Sequence, residues 1–90
     1  MNQKYEVIFT KQALKSLKKL DKKTAALIIG WVEKNLANCE NPRIFGKGLT
    51  ANRSGQWRYR IGNYRIIAEI EDEKVMIMLI NIGHRRDIYK

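Results

Sequence analysis

The hydrophobic repeat of this chain passes from helical to alternating spacing before Trp57, and that change limits the folds open to it. Between residues 13 and 36 apolar residues recur at helical spacing. From Trp57 onward they recur at every second position, as in Trp57-Arg58-Tyr59-Arg60-Ile61. Helices gathered in one part of the chain and alternating strands in another predict an α+β fold, not a wound α/β one.

The elements follow from local signals. Tyr5, Val7 and Phe9 alternate with Glu6 and Ile8, which predicts a short strand. Thr10 is placed to cap a helix with the stripe Ala13, Leu14, Leu17 and Leu20. Asp21 is placed to cap a second helix running to about Asn38, with the stripe Ala25, Ile28, Ile29, Val32 and Leu36. The short connection predicts an antiparallel helical hairpin. Asn41-Pro42 closes the helical region. Gly46, Gly48 and Gly55 then mark an irregular loop.

Gly62-Asn63 reads as a two-residue hairpin turn between the Trp57 strand and a strand from Tyr64 to Glu71. Asp72-Glu73 turns again. Val75 to Ile82, the most apolar stretch, is expected to be central and covered on both faces. Gly83 begins a polar tail. The expected architecture is therefore an N-terminal strand and an antiparallel helical hairpin packed on one face of a small, mainly antiparallel sheet. The other face is left partly open.

Ninety residues make one domain, residues 1–90, with a modest core. The longest uninterrupted apolar run, Val75 to Ile80, is far too short to span a membrane, so no membrane role is expected. Lys4, Glu6 and Lys11 interrupt any secretory signal pattern. A single cysteine, Cys39, excludes an intramolecular disulfide and fits a reducing cytoplasm. Eighteen basic residues against nine acidic ones give a net charge of +9. Such an excess points to a polyanion or an acidic protein as partner.

The charge is unevenly placed. Arg43, Lys47, Arg53, Arg58, Arg60 and Arg65 run from Arg43 to Ile67 without an acid among them, and Glu69, Glu71, Asp72 and Glu73 follow. The meander is thus expected to be basic at one end and acidic at the other. With Gly62-Asn63 as the loop, Arg60 faces Arg65 and Arg58 faces Ile67. Alternation then gathers Arg58, Arg60 and Arg65 on one face. Directly opposed arginines repel, and a bound anion would offset that repulsion. Guanidinium forks match phosphate oxygens, so a concave phosphate site on the open face is expected.

Arg85 or Arg86 is expected to join the cluster from the tail. His84, the one histidine, is either a solvated residue or a proton-transfer group. Lys15, Lys18, Lys19, Lys22 and Lys23 form a second basic patch on the helical hairpin, either a solvated face or a contact with an RNA backbone. One histidine and one distant cysteine have no metal-site spacing. There is no glycine-rich phosphate loop, and no serine or cysteine nucleophile with a matching base.

These features together make the chain recognisable. It resembles the RelE/ParE superfamily of bacterial toxins, and within it the RelE-like ribosome-dependent endoribonucleases. The resemblance is carried by Tyr5 to Thr10 with Ala13 and Leu17-Lys18-Lys19-Leu20, by Gly48-Leu49, by Trp57 to Ile66, and by Ile82-Gly83-His84-Arg85-Arg86-Asp87-Ile88-Tyr89. It spans nearly the whole chain in the right order.

The resemblance implies a toxin of a type II toxin–antitoxin pair that cuts mRNA in the ribosomal A site without a metal or cofactor. An acidic, RelB-like antitoxin would neutralise it, and operator DNA would be bound only through that complex. The family's basic residues on the first hairpin strand match Arg58 and Arg60, often lysines in relatives. Its arginine on the second strand matches Arg65. The arginine after the last strand matches Arg85, with Arg86 as the alternative, and the C-terminal tyrosine matches Tyr89. His84 stands where relatives carry lysine or histidine. Lys47 and Arg53, with the helical lysines and Arg86, are expected to contact RNA or ribosome.

The chemistry implied is attack of the RNA 2′-oxygen on the adjacent phosphate, with arginines aligning the groups and stabilising the dianionic transition state. Tyr89 or His84 is the candidate for proton transfer, or Tyr89 stacks on a splayed base. Two other readings use the same residues. One is a ParE-like toxin that poisons gyrase. The other is a non-catalytic RNA-binding module using Trp57, Tyr59 and Tyr64, although these share the face opposite the arginines and are expected in the core.

Overall fold

The computed structural model describes residues 3–48 and 56–84. The elements, in chain order, are β1 (Glu6–Phe9), α1 (Lys11–Lys18), α2 (Lys22–Asn35), β2 (Lys47–Gly48), β3 (Gln56–Ile61), β4 (Tyr64–Glu71) and β5 (Met76–His84). The five strands form one sheet in the order β1-β5-β4-β3-β2. β1 runs parallel to β5, and every other pairing is antiparallel. The two helices pack on one face, giving the expected α+β arrangement.

Both helix starts have the expected caps. The Thr10 hydroxyl accepts from the Ala13 N–H at 3.2 Å and donates to the Leu79 carbonyl at 2.7 Å. One side chain thus caps α1 and ties it to β5. Asp21 accepts from the Thr24 N–H at 3.3 Å and from the Thr24 hydroxyl at 2.6 Å. These bonds hold its carboxyl below the usual range. α2 ends earlier than expected, at Asn35, and the chain turns out through Asn38 at φ 62°. Asparagine tolerates that left-handed conformation well.

The core lies between the helices and one sheet face. Ala13, Leu17, Ile28, Val32 and Leu36 from the helical layer meet Tyr59, Ile61, Ile66, Ala68, Ile77, Leu79 and Ile82. Leu14 and Ile29 do not belong to it, being 46% and 36% exposed. Each helix buries a stripe narrower than its apolar periodicity suggests, because it has a sheet on one side and no third layer on the other.

Four expectations about the last strands are corrected. β4, not β5, is the middle strand. β5 is not covered on both faces, since Met76, Met78 and Ile80 remain half-exposed beside buried Ile77 and Leu79. Val75 belongs to the turn: its N–H donates to the Asp72 carbonyl at 3.1 Å, with φ at 53°. A β-branched residue in that region is strained. Gly83 and His84 continue β5 and do not begin a tail. A bulge shifts the β4–β5 register between Ile67 and Ala68. It lets Leu79 and Ile82, three residues apart, both reach the core.

Candidate anion site

The hairpin that builds the site is set by its turn. Only Gly62 takes positive φ, at 59°, and the pairs Ile61–Tyr64, Arg60–Arg65 and Arg58–Ile67 form as expected. Tyr59, Ile61 and Ile66 face the helices and are buried. Arg58, Arg60 and Arg65 therefore share the open face. Along the same face Ile67 follows, and then Glu69 and Glu71, so the sheet is cationic at one end and anionic at the other.

Arg65 is only 7% exposed. Its Nη1 donates to the Tyr64 carbonyl at 3.3 Å. Among the described residues no carboxylate reaches Arg60 or Arg65. The rest of the side chain is enclosed while its guanidinium lines the concavity, where an incoming anion can pair with it.

The short strand β2, which periodicity did not reveal, adds a fourth cation. It pairs Lys47 with Arg58 and Gly48 with Trp57. A concavity of about 280 Å³ results, lined by Gly46, Lys47, Arg58, Arg60 and Arg65. Its wall is pinned by packing. Gly46 has φ 75°, and a Cβ there would lie 2.0 Å from the Arg58 carbonyl oxygen, so only glycine fits. Trp57 Nε1 donates to the Phe45 carbonyl at 2.6 Å. The buried Tyr59 hydroxyl donates to the Pro42 carbonyl at 2.7 Å, and burial pushes that phenol further up.

Arg43, one of the basic run, is engaged elsewhere. Its guanidinium makes a bidentate pair with Asp72, Nη1–Oδ1 at 2.9 Å and Nη2–Oδ2 at 3.1 Å. Tyr5 donates to the same carboxylate at 2.6 Å. Arg43 and Tyr5 hold the Asp72 carboxyl low, and the bond to Asp72 raises the Tyr5 phenol. Arg43 also sits 5.9 Å from the Trp57 ring. The clamp ties the loop before β2 to the β4–β5 turn.

The remaining candidates divide by position. His84 pairs with Tyr64 and sits edge-on to its ring, 5.4 Å between centroids. This is the helix face, so His84 is not brought to Arg58, Arg60 and Arg65. Lys15, Lys18, Lys19, Lys22 and Lys23 are exposed in the helical layer, away from the concavity. Arg53, Arg85, Arg86 and Tyr89 lie outside the described residues. Among those described, no three His, Cys, Asp or Glu side chains group as metal ligands. No helix among them is long and apolar enough to cross a membrane. Burial pushes the Cys39 thiol up, away from a reactive thiolate.

Fold and site together define a small basic α+β domain with a cationic concavity on its open sheet face. The family model for the ParE toxin of type II toxin–antitoxin systems matches residues 7–89. The chain belongs to this toxin family, within the RelE/ParE superfamily. Among its relatives, toxin RelG of Mycobacterium tuberculosis is 31% identical over 96% of this chain and 97% of its own. Toxin RelE of the same organism is 33% identical over 96% and 87%. The toxin–antitoxin complex RelBE2 of M. tuberculosis contains a chain that superimposes with a TM-score of 0.82. That chain is 29% identical, covering 91% of this chain and 92% of that one.

Proposed function

We propose that this toxin cleaves mRNA in the ribosomal A site. The observation that carries the reading is the convergence of Lys47, Arg58, Arg60 and Arg65 on one concavity, with Arg65 buried and lacking a carboxylate partner among the described residues. A phosphodiester supplies the missing anion. The RNA 2′-oxygen attacks the adjacent phosphorus and leaves a 2′,3′-cyclic phosphate and a 5′-hydroxyl. Arginine forks hold the non-bridging oxygens and stabilise the dianionic transition state, so the charge chemistry is done by the protein and not by a metal. Arg85 and Tyr89 are assigned to the same site from the family pattern, with Arg86 as the alternative to Arg85. The exposed lysines of α1 and α2, with Arg53, supply backbone contacts to ribosomal RNA.

An acidic RelB-like antitoxin is the second partner. The net charge of +9 favours it, as does the likeness to a toxin solved with its antitoxin. Operator DNA is contacted through that complex, and the toxin acts in the cytoplasm, where the ribosomes are.

A second reading is favoured by the family match, whose description is that of a ParE toxin. It is gyrase poisoning. Pulse-labelling after induction separates the two. The proposal requires amino-acid incorporation to stop first, with gyrase supercoiling intact in vitro. Arrested DNA synthesis, DNA breaks and inhibited supercoiling would establish the other reading.

A further inference from the structure

We infer that Lys47 is the general acid of this site, protonating the 5′-oxygen as it leaves; the assignment rests on the cleavage reading above. Three of the four cations lining the concavity are arginines. Guanidiniums stabilise charge but do not give up a proton in a catalytic cycle. Breaking the P–O5′ bond leaves an electron pair on O5′ that needs one. Among the described residues lining the concavity, Lys47 alone carries a transferable proton.

The histidine, tyrosine and cysteine side chains among the described residues are placed elsewhere, and Tyr89 lies outside those residues. His84 and Tyr64 meet on the helix face. The Tyr59 hydroxyl is committed to the Pro42 carbonyl, and that of Tyr5 to Asp72 at the far end of the hairpin. Cys39 lies beside Tyr5, before β1, where its carbonyl accepts from the Tyr5 N–H at 2.8 Å.

Lys47 is also held in place. Its backbone pairs with Arg58, and its neighbour Gly46 lies against the Arg58 carbonyl, where no side chain fits. The Trp57 indole fixes Phe45 two residues before it. The side chain itself is exposed at the rim, so the amine can regain a proton from water. In the step assigned, the O2′–P bond forms and the P–O5′ bond breaks. The proton of the 2′-hydroxyl passes to water. The proton on Lys47 Nζ passes to O5′, giving the 5′-hydroxyl product, and solvent reprotonates the amine.

The test uses single-turnover cleavage on reconstituted ribosomes by the wild type, Lys47→Arg, Lys47→Gln and Arg65→Ala. Two mRNAs are compared, one ordinary and one with sulfur replacing the bridging 5′-oxygen at the cleaved linkage. A thiolate leaves without protonation. Lys47→Arg keeps the charge and is expected to slow cleavage of the ordinary mRNA about 10²-fold or more. It should cut the sulfur substrate nearly as fast as the wild type. Arg65→Ala should slow both. Lys47→Gln, which removes charge and proton together, should lose activity on the ordinary mRNA and recover most of it on the sulfur substrate. Circular dichroism checks that each variant is folded. Equal rates for wild type and Lys47→Arg on the ordinary mRNA would overturn the assignment. So would equal losses on both substrates, which would reduce Lys47 to a charge or a structural residue. If the wild type cuts neither mRNA, the cleavage reading itself fails.

Discussion

Replacing Arg65 by methionine is expected to make the protein more stable and inactive at once. Arg60 and Arg65 are direct cross-strand partners on the open face, and Arg65 is 7% exposed. Glu69 and Glu71 share that face of the strand, but lie about 13 and 20 Å away at roughly 3.3 Å per residue. The Debye length at 0.1 M salt is about 10 Å, so these acids offset little of the repulsion. Two unit charges about 6–8 Å apart repel by about 2–3 kcal/mol at an effective dielectric near 20. Arg60 is exposed and solvent-screened, which lowers the expected figure to about 1–2 kcal/mol. Methionine keeps the apolar stem of the side chain. The 3.3 Å bond to the Tyr64 carbonyl is lost. It is long, and water can take its place.

Urea denaturation at low ionic strength should therefore show Arg65→Met more stable by about 1–2 kcal/mol, or roughly 4–8 °C in Tm per kcal/mol. The gain should shrink near 1 M salt, where the Debye length is about 3 Å. Inorganic phosphate should stabilise the wild type and leave the variant nearly unaffected. A variant less stable than the wild type at low salt, or a gain indifferent to salt, would refute the idea that the cluster is held at an electrostatic cost.

Other predictions follow from single contacts. Gly46→Ala places a Cβ against the Arg58 carbonyl at positive φ; a loss of about 2 kcal/mol or more is expected in urea denaturation. Gly30 lies inside α2 with open space around its missing Cβ, so Gly30→Ala should gain about 0.5–1 kcal/mol by the same assay. The Asp72 carboxyl is depressed in the folded state by Arg43 and Tyr5. Its contribution is present above the ordinary carboxylate range and lost as pH falls through the depressed value. Asp72 is 56% exposed, so Asp72→Asn should cost well under about 1 kcal/mol at neutral pH, with the difference vanishing in acid melts. The Tyr5 phenol is raised. Its contribution is full below the ordinary phenol range and disappears as pH rises through the raised value, so Tyr5→Phe should converge with the wild type in alkali.

Local chemistry made much of this molecule legible from its sequence. The Gly62-Asn63 loop has two residues and the strands have a period of two, so the loop alone set the register and gathered the arginines. Thr10 and Asp21 announced their helices because capping is a short-range bond. What stayed hidden depends on distant partners. β2 has two residues and no periodicity, so the arrival of Lys47 beside Arg58 had only Gly46 and Gly48 as a hint. The Arg43–Asp72 clamp joins residues 29 apart with no local signature. Met76 and Met78 are apolar without being buried, which made β5 look like the middle strand. His84 was drawn to the arginines by sequence proximity, and strand alternation sends it to the other face.

The most direct test of the account is to add the purified toxin to a reconstituted translation system and map mRNA ends by primer extension. Reactions are run with and without ribosomes, and with Arg65→Ala as the control. Cuts are expected at A-site codons only when ribosomes are present, weakened about 10²–10³-fold by Arg65→Ala. Intact mRNA under continuing translation, or cuts that persist unchanged in Arg65→Ala, would contradict it.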